Sequence, residues 1–275
     1  MTTSSLPAGR RESFGWLLRD SLAIARRDIR HWTQQPATIL ITWLFPVMIA
    51  LMFGGLFGGA ITVPAGSSYY EFLMPGMFTL TMLFGLEGTI LAVTADSARG
   101  VIDRFRSLPI SSGAVVLGRC LADMLSSAIG LAVLVVSGLL LGWRWHAGLA
   151  AALAAFGLLL LCRFALLWAG IYIGLNSKSP EAVSPVQILV WPAGFLSNVF
   201  VDPSTMPGWL GALATWNPLS ATAAASRHLF GNPEFPVTAA SWASRHAIGL
   251  ALLWPLLITA VFLPLSARKF RTLGN

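Results

Sequence analysis

The side chains of this 275-residue chain that could do chemistry fall into two groups. The first is a charged run of Asp96, Arg99, Asp103, Arg104 and Arg106, which places five of the 29 formally charged residues within 96–109. Gly100 and Pro109 bracket it, as they would bracket a short helix or an ordinary turn. A rigid charged knob of this kind can take force from a soluble partner; the plainer reading is a solvated loop whose arginines fix orientation in a membrane. The second group is Glu87 and Arg163, the ionisable residues deepest in long apolar stretches. A charge at mid-membrane costs about 3 kcal/mol, so each must face a bundle interior, a partner or water. They could pair across two spans, snorkel, or, for Glu87, line the path of an amphiphilic substrate. A lone acid with no His or Asp companion makes a weak proton relay.

Other chemistry is missing from the sequence. It has no Gly-rich phosphate loop followed by Lys-Ser or Lys-Thr, no paired-histidine metal motif and no nucleophile elbow. The chain is therefore expected to be no enzyme and to hold no metal, and any uphill work must draw its energy from elsewhere. Cys120 and Cys162 have neither metal-site nor disulfide spacing and are most simply packing residues.

The elements that must position these residues are membrane spans. Hydrophobic residues make up 56% of the chain and charged residues only 11%, against about 25% charged in a soluble domain. Mean hydropathy is +0.72. The net charge of +7 would raise nucleic acid as a partner, but the basic residues sit beside apolar segments and not on one face. Anionic lipid headgroups and topology explain them better, and no nucleic-acid partner is expected.

An all-α polytopic membrane protein follows, with six spans at about 37–59, 72–95, 114–141, 147–175, 183–201 and 247–265. The charged run is the short turn between the second and third. Residues 1–36 read as a tail and an amphipathic helix, 37–265 as the transmembrane domain and 266–275 as a second tail. From Phe14 to Trp32, Phe14, Leu18 and Trp32 fall on a broad apolar face while Arg26, Arg27 and Arg30 point away, as in a helix lying in the membrane plane. No cleavable leader is evident, because the residues before the first apolar run are polar and basic. The 202–246 stretch, with Pro207-Gly208-Trp209 and Asn217-Pro218, is too apolar for a free loop and reads as one or two short helices at the outer interface.

Six spans set the orientation. Thirteen Lys and Arg fall on the side holding both termini and the 96–113 turn, and three on the other: Arg144, Arg227 and Arg245. Basic short loops stay cytoplasmic, so both termini and the charged turn face inward.

Three stretches carry a resemblance: Phe72-Leu73-Met74-Pro75-Gly76 opening the second span, the run from Asp96 to Ile110, and the passage from Phe195 through Met206-Pro207-Gly208-Trp209 to Trp216-Asn217-Pro218-Leu219. In their order and spacing the chain resembles the membrane subunits of ABC-2 type exporters, within them the daunorubicin-resistance-type bacterial permeases. Ser97 and Ala98 stand where that family commonly has acidic residues.

The resemblance implies a permease that exports an amphiphilic drug, lipid or glycolipid-like cargo from a bacterial inner membrane. Two cytoplasmic ATP-binding subunits, which bind ATP and Mg, would drive it, together with a second copy of the chain or a related permease. By the same resemblance 96–109 is the coupling helix docked on the ATPase, 14–32 the interfacial helix, and 202–230 the re-entrant outer segment. An ion-coupled antiporter and a non-transporting membrane scaffold are the competing classes.

Overall fold

The computed structural model describes residues 14–34, 36–59, 68–98, 100, 112–177, 179–234 and 242–272. Every long element among them is a helix. Helix α1 is Phe14–Gln34, α2 Pro36–Phe57, α3 Tyr69–Ala98, α4 Ser112–Leu140 and α5 Leu149–Asn176. A 3-10 turn at Pro180–Val183 leads into α6, Ser184–Phe195, and a second at Pro203–Thr205 precedes α7, Gly208–Trp216. Helix α8 is Pro218–Phe230, α9 Trp242–Arg245 and α10 Ala247–Thr272.

Five helices, α2, α3, α4, α5 and α10, are long and apolar enough to cross a membrane. They match the first four expected spans to within a few residues, and α10 begins where the last was expected. The expected span at 183–201 differs. Its helix, α6, has 12 residues and ends at Phe195, a length of about 18 Å against the ~30 Å of a bilayer core. Helix α10 also runs past the expected tail boundary at 265 to Thr272, with Phe270 buried and the Ser266 hydroxyl donating to the carbonyl of Trp168 at 3.1 Å.

Helix α3 is the hub. Its residues from Phe72 to Leu80 are all buried, among them Leu73, Met74, Met77 and Phe78. It packs on α5 through small residues: a Cβ at Gly174 would lie 2.8 Å from Val93 Cβ, and one at Gly170 would lie 3.1 Å from both Leu86 and Thr89. Close backbone approach at small residues is how helices associate where lipid supplies no hydrophobic drive between them. Toward the N-terminal end of α3, Phe78, Trp143, Phe156 and Phe230 interlock with ring centroids 5.0–6.4 Å apart. There Trp143 Nε1 donates to Asn232 at 2.8 Å and Glu71 meets His146 at 2.8 Å.

Helix α1 forms where the amphipathic pattern placed it, but part of its inner face packs on protein. Ser21, Ile24 and Ala25 are buried, and a Cβ at Gly118 of α4 would lie 2.7 Å from Ile24 Cβ. Leu22, on the expected apolar face, is 61% exposed. Arg26, Arg27 and Arg30 are exposed, while the side chains of Phe14, Leu18 and Trp32 lie outside the described residues.

Candidate functional site: a polar ladder behind the charged turn

Helix α3 ends just before Gly100, whose φ of 65° is the left-handed conformation that glycine adopts without steric cost and that commonly stops a helix. The N–H of Gly100 donates to the carbonyl of Ser97 at 3.1 Å. Arg99 and residues 101–111, with Asp103, Arg104, Arg106 and Pro109, lie outside the described residues. Asp96, in the last turn of α3, is described and is the first rung of a ladder leading into the bundle.

Arg119 of α4 spans the first two rungs. Its Nη1 donates to Asp96 Oδ2 at 3.1 Å, and its Nε lies 3.3 Å from Asp123 Oδ1. Arg119 and Asp123 are four residues apart, the helical spacing at which side chains stack on one face. Asp123 Oδ2 then accepts from the Thr89 hydroxyl of α3 at 2.9 Å, whose oxygen accepts in turn from Arg163 Nη2 at 2.7 Å. Arg163 Nε donates to Ser127 Oγ at 2.7 Å, and Ser127 donates back to the Asp123 carbonyl at 2.9 Å. Both hydroxyls thus accept from the buried guanidinium and donate to Asp123. Thr89 thereby ties the positive charge to the Asp123 carboxylate without a direct salt bridge, and Ser127 ties it to the Asp123 backbone carbonyl.

The ladder joins the ends and middles of α3, α4 and α5. Arg163 is only 2% exposed and is seated against α3 at Gly85, where a Cβ would lie 2.5 Å from its Nε. A side chain at 85 would displace the guanidinium.

Glu87 and Arg163 do not pair. Arg163 touches α3 at residues 85 and 89, and residue 87 is turned about 200° from either, onto the opposite face. Asp123 does the neutralising instead. Sequence reasoning passed over it because attention fell on the two charges deepest in their spans, although Arg119 and Asp123 at i and i+4 inside one apolar segment were a readable signal.

The segment expected at the outer interface carries a second buried cation. Arg227 of α8, 1% exposed, donates through Nε to Phe72 O at 3.1 Å, through Nη1 to Asn198 O at 3.0 Å and through Nη2 to Val199 O at 2.9 Å. Its guanidinium carbon also lies 4.4 Å from the centroid of the Phe72 ring. The sequence pattern counts Arg227 as a loop charge, yet it clamps the start of α3 to the turn after α6.

Asn217 caps α8 by accepting from Leu219 N at 2.9 Å and ties it to the end of α6 by donating to Ala193 O at 2.9 Å and Leu196 O at 2.6 Å. Pro218 opens α8 at a position where no N–H is required. Gly208 opens α7, with Pro207 before it, and Trp209 on that helix is 70% exposed.

A bundle with five helices long and apolar enough to cross a membrane defines the class of the molecule as an integral membrane protein. The particular family is shown by comparison: residues 20–230 match the ABC-2 type transporter model, and the chain belongs to that family. It is 34% identical over 267 residues to the daunorubicin resistance ABC transporter permease protein DrrB1 of Streptomyces coeruleorubidus, covering 97% of this chain and 91% of that one. The doxorubicin resistance ABC transporter permease protein DrrB of Mycobacterium tuberculosis is 27% identical, over 75% of this chain and 71% of its own length. A putative transport permease, ycf38 of Porphyra purpurea, is 23% identical over 81% of this chain and 77% of its own. All three are named as permeases.

Proposed function

We propose that the chain is the membrane subunit of an ATP-driven exporter, working with two ATP-binding subunits and a second permease, either its own copy or a related one. ATP and Mg bind the partners; this chain supplies the path and the lever. Its cargo is an amphiphile, with a drug favoured over a lipid or glycolipid by the resistance names of its relatives.

The observation that carries the reading is the ladder from Asp96 to Arg163. A partner gripping the turn that begins at Gly100 would act on Asp96, which is ion-paired to α4, and through Asp123, Thr89 and Arg163 on α5. Force at one loop would then move three spans together.

The topology of this reading has six crossings with both termini and the 99–111 turn in the cytoplasm of a bacterial cell. The fifth crossing is made by the Pro180–Val183 turn and α6, together about 26 Å long, continued by residues 196–202. Helices α7 and α8 then form the re-entrant outer segment.

Co-expression with the ATP-binding subunit tests the reading. We expect the two to co-purify, the ATPase rate to rise in the complex, and Arg104→Ala with Arg106→Ala to abolish that rise while membrane insertion is unchanged. Export by the purified chain in liposomes without any ATPase would refute it. If that export vanished on collapsing a proton gradient, the chain would be an antiporter. Labelling of a cysteine at position 104 from outside intact cells would refute the topology.

A further inference from the structure

The run Ser266-Ala267-Arg268-Lys269-Phe270-Arg271 has the composition of a tail, yet α10 stays helical through it to Thr272 and docks one face on the bundle. Ser266 and Phe270, four residues apart and so stacked on one side of a helix, are 1% and 5% exposed, while Arg268 is exposed. Pro264, whose ring removes a helix hydrogen bond, lies two residues before Ser266 and lets the last turns bend toward their neighbours. The Ser266 hydroxyl then donates to the carbonyl of Trp168 at 3.1 Å.

Phe270 belongs to a buried cluster that draws on every helix of the ladder: Val93 of α3, Cys120 of α4, and Trp168 and Ile171 of α5, with Val116 of α4 packed against it. Helix α10 touches α4 as well as α5. These residues lie beside the first rungs. Val93 precedes Asp96 by three residues, Val116 precedes Arg119 by three, and Cys120 follows Arg119 directly. The charged turn joins the end of α3 to the start of α4, so the cluster is the packed base of that turn. The Asp96 and Arg119 side chains that tie the two helices there are 28% and 17% exposed, and an ion pair reached by water contributes little. Close packing has to supply the stiffness, and a ring removed from such a cluster leaves a cavity into which the surrounding helices relax.

We propose that Phe270 is a positioning residue for coupling, a strut that fixes the spacing of α3 and α4 at the base of the charged turn. A partner's pull on the turn then moves the ladder and is not lost in splaying of the two helices. The proposal rests on the export reading and adds α10 to the lever. Phe270 acts through the turn, and no contact with nucleotide or cargo is required of it.

The test is the ATPase rate of the ATP-binding subunit with and without this chain, both full length and reconstituted together in nanodiscs, with the complex followed by size-exclusion chromatography. Wild type is expected to raise kcat. Phe270→Ala should still form the complex and keep KM for ATP within about twofold, while the rise in kcat falls about threefold or more. Phe270→Leu refills much of the space and should recover about half of the rise or more. Arg268→Ala, on the exposed side of the same turn, should leave the rise unchanged.

An unchanged rise with Phe270→Ala, or a Phe270→Leu as defective as Phe270→Ala, would overturn the proposal. Loss of the complex in Phe270→Ala, or an equal fall with Arg268→Ala, would also overturn it and make the end of α10 a contact surface for the ATP-binding subunit. Should Phe270→Ala fail to fold, Val116→Ala decides from the facing wall of the cluster: a fall of about twofold or more supports the strut, and a full rise overturns it. The two readings fail separately. No rise with wild type ends the export reading itself, whereas a rise that Arg104→Ala with Arg106→Ala abolishes and Phe270→Ala keeps removes only the strut.

Discussion

Replacing Arg163 with leucine should destabilise the bundle by about 2–3 kcal/mol. Removing one member of a buried ion pair costs about 3–5 kcal/mol in soluble proteins, because the remaining charge is left uncompensated. Here Arg119 still lies 3.3 Å from Asp123, so part of the compensation survives and the loss falls at or just below the bottom of that range. A lower bound comes from the hydrogen bonds alone: Thr89 and Ser127 each lose a donor at 2.7 Å, and interhelical bonds in a bilayer average about 0.6 kcal/mol. Arg163→Lys should recover only part of the loss, since one ammonium cannot reproduce the forked reach of Nε and Nη2 to two hydroxyls on different helices.

The assay is reversible unfolding in mixed micelles as the denaturing detergent fraction rises, followed by tryptophan fluorescence. Asp123→Leu alone should also destabilise the protein, and the double substitution with Arg163→Leu should cost less than the sum of the two by about 1–2 kcal/mol. Strict additivity, or a loss below about 0.5 kcal/mol for Arg163→Leu, would refute the view that Arg163 and Asp123 form one electrostatic unit through Thr89 and Ser127.

Three further substitutions probe the rest of the scaffold. Arg227→Met removes three bonds to backbone carbonyls and the stack on Phe72, and should cost about 2–4 kcal/mol in the same unfolding assay. Asn217→Ala removes a helix cap and both ties to the end of α6; we expect a loss of about 1–2 kcal/mol and faster amide exchange across 193–219, read by mass spectrometry. Gly174→Ala forces a methyl against Val93 Cβ at 2.8 Å and Ile90 O at 3.0 Å, so α3 and α5 must separate, with a loss of about 1–3 kcal/mol and a lowered melting temperature.

The spans α2 to α5 and α10 were legible because each is an apolar run long enough to cross hydrocarbon, and that signal survives any packing. The fifth element misled because its apolar composition continues through Val199, Phe200 and Val201 after the helix has stopped. What stops it is tertiary: Arg227, some 30 residues later, takes the carbonyls of Asn198 and Val199, and Asn217 takes those of Ala193 and Leu196. Backbone groups released from a helix in an apolar setting need partners, and a sequence scan does not show partners that distant.

The ladder was half legible. Arg163 and the charged run stand out in any apolar sequence, but Asp96, read as the start of the turn, lies in the last turn of α3, which stops just before Gly100. Which acid neutralises Arg163 depends on the register between three helices. Helical phase excludes Glu87 only once the contacts at Gly85 and Thr89 are known, and Asp123 gains its role from lying level with them.

A lever transmits displacement only if it does not give way at its ends. Helix α3 is fixed near its N-terminal end by Arg227 on the carbonyl of Phe72, near its C-terminal end by Arg119 on Asp96, and along its middle by Arg163 seated in the gap at Gly85. Its contacts with α5 at Gly170 and Gly174 leave no room for independent sliding, because the nearest atoms include backbone as well as side chains. The flanking helices differ. Helix α2 exposes Leu40, Ile41, Leu44, Met48, Leu51 and Met52, and α6 exposes Ile188 and Leu189. They meet each other across α3 through rings, contacts worth about 0.5–1.5 kcal/mol each, while α2 is also seated on α3 at Gly54 against Tyr70 and α6 on α3 at Gly194 against Leu80. Displacement at Asp96 would therefore be shared by α3, α4 and α5, the three helices that the ladder ties together.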